Sequence, residues 1–203
     1  YPLRRQRQMC IRDSSQMVKK NTCIFISGKG SNLKNLILRS RDNSFPIKIT
    51  LVISNNKEAY SLNYAKKYKI PFFFINTKIK NYENKILLHL KKYKISFICL
   101  AGFMKIISNT LIKNYQRKII NVHPSLLPKF KGLNTFSRML KNKEKKAGCS
   151  VHFVNNKLDS GQIIIQKKFS INHKDDEKNL KNRTQKMEYI AFPEAIIKIF
   201  RYS

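Results

Sequence analysis

What most constrains this chain is a rhythm. From Lys19 onward, short β-branched apolar runs alternate with amphipathic stretches of about 7 to 12 residues, the order that builds βαβ units on a parallel sheet. Apolar runs predict strands at residues 23–27, 47–54, 71–75, 97–101 and 119–123, with two more at 150–154 and 162–171. Helical spacing falls at 32–40, 57–68, 82–93, 109–115, 135–141 and 176–200. Runs such as "TLVIS" and "FICLAG" stay apolar instead of alternating, as strands covered on both faces do. The last two strands are joined by a polar segment ending in Asp159-Ser160-Gly161 and read as a hairpin. The expected fold is α/β: a doubly wound, mostly parallel sheet of about seven strands, a C-terminal antiparallel hairpin, and helices on both faces.

At 203 residues, with no internal repeat and no Gly- or Pro-rich linker, residues 17–203 are expected to form a single domain. Residues 1–16 are Arg-rich where the body is Lys-rich, show no periodicity and lack the apolar core of a secretory signal. They are read as a non-native or disordered leader, with Met17 the natural start. No apolar run approaches the roughly 18 residues of a membrane span. Cys10, Cys23, Cys99 and Cys149 lie far apart without a CxxC pair, and the four histidines lack an HExxH spacing. Neither a metal site nor a disulfide framework is expected, and the compartment is expected to be the cytoplasm. The net charge of +31 invites a nucleic-acid reading. The lysines are scattered beside Asn and Ile through almost every segment, however, so they read as a solvated surface that draws anionic ligands towards a cleft.

Three loops stand out. "FISGKGSNLKNLI" places Gly28 and Gly30 between the first strand and first helix, where backbone can approach a ligand closely. Ser31 or Asn32 is expected to cap that helix, whose free N–H groups form an anion site. The stretch is neither a GxxxxGK[ST] loop nor a full GxGxxG, because Leu33 occupies the third glycine position. Ligands of open α/β sheets gather beyond the carboxyl ends of the strands. "AGFMKII" and "NVHPSLLP" follow the fourth and fifth strands there. Asn121 and His123, two residues apart, point to one side of their strand, and Pro124 and Pro128 stiffen its exit. An amide and an imidazole in one space suit a reaction in which a carbonyl oxygen becomes an oxyanion. Between Asn21 and Asn172 the only acids are Asp42, Glu58, Glu83, Glu144 and Asp159. Asp159 in "LDSG" suits a turn. It equally suits a carboxylate that holds the imidazole, once the hairpin folds over the carboxyl edge of the sheet.

Taken together, "ISGKGSNL", "LAGFMKIIS", "IINVHPSLLPKFKGLNT", "GCSVHFVNNKLDSGQIIIQ" and "QKMEYIAFPEAI" resemble the phosphoribosylglycinamide formyltransferase family of the formyltransferase superfamily. The likeness runs in order from about Lys19 to Phe200. It implies a Rossmann-like fold and transfer of a formyl group from 10-formyltetrahydrofolate, the co-substrate, to the amine of glycinamide ribonucleotide, with no metal. On the family's pattern Asn121, His123 and Asp159 match the catalytic trio. Gly30, Ser31 and Asn32 match the substrate-phosphate loop, with Gln185 beside them and Glu188 on the ribonucleotide. Met104, Lys105, Ile106 and Ile107 match the folate-pocket segment. Asn155, Asn156, Lys157 and Leu158, with Asn121, match the surroundings of the pterin.

Where the family often carries an arginine for the folate tail, this chain has Ile79 between Lys78 and Lys80. The implied partners are the two small molecules, without nucleic acid or membrane, for a monomer or weak homodimer. The nearest alternatives are formyltetrahydrofolate hydrolase and methionyl-tRNA formyltransferase, each expected to carry a further domain; a basic nucleic-acid-binding α/β module stands further off. "SGKGSN" favours a nucleotide phosphate over the first two. A bulky residue at Gly30 is accordingly expected to weaken ribonucleotide binding far more than folate binding.

Overall fold

The structure is a computed structural model and describes residues 18–201; the Arg-rich leader lies outside the described residues. The elements are β1 (Lys20–Ile26), α1 (Ser31–Ser40), β2 (Ile47–Ser54), α2 (Ser61–Lys67), β3 (Phe72–Phe74), α3 (Tyr82–Lys92), β4 (Phe97–Leu100), α4 (Asn109–Asn114), β5 (Ile119–His123), α5 (Thr135–Lys141), β6 (Lys146–Phe153), β7 (Ile163–Ser170) and α6 (Glu177–Arg201). The sheet runs β3-β2-β1-β4-β5-β6-β7. Strands β1 to β5 are parallel, and β6 runs against both β5 and β7. Strand order reverses between β1 and β4, so the loops that follow them diverge and open a crevice at the carboxyl edge.

The unbroken apolar runs are explained by two helical layers. Ile24 and Ile26 of β1 pack with Leu33 and Leu36 of α1, Leu62 of α2, and Phe192 and Ile196 of α6. Cys23 and Phe25 face the other way, against Ile86 and Leu90 of α3 and Leu111 of α4. The same alternation decides the site. On β5, Ile120 and Val122 join the first layer and Ile119 the second, so Asn121 and His123 share the α3–α4 face. The free thiols of Cys23, Cys99 and Cys149 are buried, and burial pushes all three well up, leaving little thiolate.

Element boundaries depart from hydropathy where backbone pairing does not need an apolar side chain. Strand β1 starts at Lys20, paired with Ile47, and β6 starts at Lys146, paired with Ser170. Helix α2 starts at Ser61 and not at 57, because the Asn56 side chain accepts the Glu58 N–H at 3.0 Å and makes a turn there.

Helix α6 carries Pro193 in its interior, in the same turn as fully buried Phe192 and Ala195. Proline has no N–H, so the carbonyl four residues back, that of Tyr189, loses its helical donor. Asn35 of α1 supplies one, its Nδ2 donating to the Tyr189 oxygen at 2.9 Å. The half-buried contact satisfies that carbonyl and ties the two helices to each other at one level.

Candidate active site

The first loop is built from three elements. Gly30 is the residue before α1 and takes φ 75°, a left-handed conformation that glycine adopts without strain. No side chain caps α1, which corrects the expectation that Ser31 or Asn32 does so. Both already lie inside the helix, and their side chains turn to α6 instead. Gln185 Nε2 donates to Ser31 Oγ at 2.6 Å, and Asn32 Nδ2 donates to Glu188 Oε2 at 2.7 Å. Together with the Asn35–Tyr189 contact, these bring the predicted ribonucleotide residues Gly30, Ser31, Asn32, Gln185 and Glu188 to one place, across 154 to 156 residues of chain. Ser61 at the start of α2 braces the loop from below: its N–H and hydroxyl both donate to the Gly28 carbonyl, at 3.2 and 2.7 Å. Ser27 joins the neighbouring loops, donating to Asn55 Oδ1 and accepting the Met104 N–H at 2.8 Å.

Burial pushes the Glu188 carboxyl up to about 7, against the lowering effect of the Asn32 amide. A folded-state value above the ordinary 4.5 means that the folded chain takes up this proton first as pH falls. The stabilisation is fully present below about pH 4.5 and is lost as pH rises through about 7. Glu188→Gln is expected to flatten the dependence of urea midpoint on pH across that window, and an unaltered slope in the variant would refute it.

The second cluster lies on the α3–α4 face of β5 and β6. Register sets Asn121 opposite His152, and His123 opposite Ser150, so four polar side chains occupy one small area where apolar ones would otherwise pack. Asp159 closes over them. Asp159 reaches the carboxyl end of β5, as the sequence led one to expect, but by a route across the face of the strands. Because β6 runs antiparallel, it ends with Phe153 beside Ile120, near the amino end of β5. The connection then returns across the face of the strands to Asp159. Gly161 permits the close: a Cβ there would stand 1.6 Å from the Phe153 oxygen.

Asp159 is 8% exposed, in the left-handed region at φ 45°. Its Oδ2 accepts the Gly132 N–H at 2.9 Å and lies 3.3 Å from His123 Nδ1. Its Oδ1 lies 3.4 Å from Asn121 Nδ2 and 3.6 Å from His152 Nε2. Burial works to raise its pKa, yet the His152 contact, the Gly132 N–H and His123 together hold it below the usual carboxylate range. His123 is lowered, chiefly by burial, although the Phe130 carbonyl, 2.9 Å from Nε2, and Asp159 both work the other way. Both ring nitrogens thus face acceptors that suit an imidazolium, while desolvation works against its charge. The arrangement can stabilise an oxyanion and carry a proton. The trio predicted from sequence is therefore together.

His152 was not among the predicted residues. Its 2% exposure and its Nδ1 contact with the Phe153 oxygen at 2.8 Å hold Nε2 towards Asp159 and Asn121. The available signal was the alternation in "SVHF", which places Ser150 and His152 on one face; which strand they face is not written locally.

Of the predicted folate segment, Met104 and Ile106 are 65% and 72% exposed beside the crevice, and Lys105 is also exposed. Ile107 is buried in the second apolar layer, backing the segment instead of lining its surface. Asn155, Asn156, Lys157 and Leu158 are exposed on the connection that delivers Asp159, with Asn155 Oδ1 accepting the Lys157 N–H at 3.0 Å. Among the described residues, no group of three or more His, Cys, Asp or Glu side chains is placed to hold a metal ion, and no helix is long and apolar enough to cross a membrane.

The mostly parallel doubly wound sheet that carries this amide–imidazole–carboxylate cluster is a formyl transferase domain: the family model for formyl transferase matches residues 20–196, and the chain belongs to that family. Within it, the phosphoribosylglycinamide formyltransferase of Haemophilus influenzae is 37% identical over 188 residues, which are 89% of this chain and 87% of that protein. The crystal structure of phosphoribosylglycinamide formyltransferase from Brucella melitensis superposes with a TM-score of 0.85 at 37% identity, covering 89% of this chain and 95% of that one. The trifunctional purine biosynthetic protein adenosine-3 of Drosophila pseudoobscura is 41% identical over 184 residues, and the match spans 14% of its length.

Proposed function

We propose that this chain transfers the formyl group of 10-formyltetrahydrofolate to the amine of glycinamide ribonucleotide, a step of purine biosynthesis. The observation that carries the reading is the buried Asp159 carboxylate shared by His123 and Asn121, in a chain whose relatives are named for this transfer. The substrate amine attacks the formyl carbon, forming a C–N bond and leaving negative charge on the former carbonyl oxygen. The Asn121 amide, engaged here only at 3.3 and 3.4 Å, has N–H groups to offer that oxygen. His123 becomes the imidazolium beside it, supported by Asp159. As the bond to the folate nitrogen breaks, the proton released by the amine passes through this pair to the leaving nitrogen.

Gly30, Ser31 and Asn32 hold the substrate phosphate in this reading, with Gln185 and Glu188 on the ribonucleotide. Met104, Lys105, Ile106 and the segment of Asn155, Asn156, Lys157 and Leu158 border the folate. The domain is residues 17–203, acting in the cytoplasm as a monomer or weak homodimer on two anionic small molecules; the dispersed cationic surface favours their approach.

The test is formyl release from 10-formyltetrahydrofolate with and without glycinamide ribonucleotide. Release that depends on the ribonucleotide is expected. Equal release without it would make the chain a hydrolase, and formylation of methionyl-tRNA in its place would make it the tRNA enzyme.

A further inference from the structure

Arg138, on α5, belongs to none of the residue groups assigned above. Its guanidinium lies 5.6 Å from the centroid of the Phe130 ring, and its Nη2 donates to the Lys131 carbonyl at 2.6 Å. Its Nε is buried without a hydrogen-bond partner, and among the described residues no carboxylate forms an ion pair with it. The residue is half-buried and its Nη2 contact is exposed, so only Nε is withdrawn from water, against the segment that the other contacts hold.

Both contacts fall on residues 130–132. This short segment supplies the Phe130 oxygen at 2.9 Å from His123 Nε2 and the Gly132 N–H that donates to Asp159 Oδ2 at 2.9 Å. Between them, Lys131 Nζ reaches Ser160 Oγ, next to Asp159 in the chain. The segment is also conformationally demanding. Phe130 has φ 55° and Gly132 φ 76°, and a non-glycine residue stays in the left-handed region only where its surroundings over-determine it.

We propose that Arg138 is a positioning residue for formyl transfer, clamping residues 130–132 so that the Phe130 carbonyl and the Gly132 N–H fix the His123 ring and the Asp159 carboxylate. This rests on the reading of the trio given above. The side chain touches no reacting atom; it acts through the segment it holds. Its charge also works on His123 in the same direction as burial and His152, and against the Phe130 carbonyl and Asp159.

The test compares Arg138→Gln and Arg138→Lys with the parent chain. Misplacing catalytic groups by a fraction of an ångström to an ångström costs up to about 10²-fold in rate. Arg138→Gln is expected to lower kcat roughly tenfold or more, while KM for each substrate changes by less than about threefold. Hydrogen exchange of the Gly132 amide is expected to accelerate at least about tenfold, with amides of β1 and β4 unchanged. Arg138→Lys, which keeps the charge and a donor for the Lys131 carbonyl, is expected to recover most of the turnover. Parental turnover in Arg138→Gln would overturn the proposal. So would a loss of turnover accompanied by faster exchange throughout β1 and β4, because that is a merely structural effect. If the parent chain itself fails to transfer formyl groups, the functional reading falls, and Gly132 exchange still decides whether Arg138 holds the segment.

Discussion

Asp159→Asn is expected to lower turnover by about 10²-fold or more, the usual scale for losing a positioned acid–base group, with substrate affinities changed far less. The substitution is nearly isosteric, and Asn tolerates the left-handed conformation at φ 45° as Asp does. A residue serving only the turn would therefore barely register the change. The charge is what is lost. Asp159 is one of the two groups that favour protonation of His123 against burial, so without it the imidazolium forms less readily when the oxyanion needs it. An amide nitrogen in place of either oxygen would also confront donors from Gly132, His123 or Asn121.

Asp159 itself is held below its ordinary pKa of 3.8. Its contribution to stability is present above that value and is lost as pH falls through the lower folded-state value. The variant should therefore also unfold less steeply in acid. His123→Ala is expected to cost a factor in turnover comparable to that of Asp159→Asn. The double variant should lose less than the product of the two, as groups acting as a unit do. Steady-state kinetics on the three proteins decides the matter: a normally folded Asp159→Asn chain with most of its turnover would remove Asp159 from the reaction.

Gly30→Ala is expected to destabilise the whole fold. A Cβ at Gly30 would stand 2.2 Å from Ser61 Cβ and 2.8 Å from its Cα, and φ is +75°. The conformational strain is about 1–2 kcal/mol, and forcing α2 aside adds roughly 1–3 kcal/mol. The melting temperature should fall on the order of 10 °C. This changes the expectation drawn from the sequence alone, that bulk at Gly30 selectively weakens the ribonucleotide. The close approach at Gly30 is to α2, so loss of the fold comes first and affects both substrates. Gly28 is the cleaner probe, because an added Cβ there meets nothing within 4 Å. Gly28→Ala should melt with the parent, and any change in its ribonucleotide affinity tests the phosphate-binding role proposed for this loop. Parental melting of Gly30→Ala would show that Ser61 and α2 yield easily and would return the loop to the simpler reading.

What the sequence determined by itself is what repeats over short distances. Unbroken apolar runs separated by helical spacing specified a two-faced sheet, because each strand must satisfy a layer on either side. The period of two placed Asn121 and His123 on one face whatever strand lay beside them. The position of Asp159 was decided elsewhere. Its connection departs from the amino end of β5 because β6 runs antiparallel, and only then does it cross the face to reach His123. His152 came to the same carboxylate through register with Asn121, 31 residues away, and Asn35 found the carbonyl exposed by Pro193 across 154 residues. No local period encodes such partners. Each polar group is satisfied only once the apolar layers have set the separation and register of their elements, and burial then makes every unmet donor or acceptor costly enough to select one arrangement.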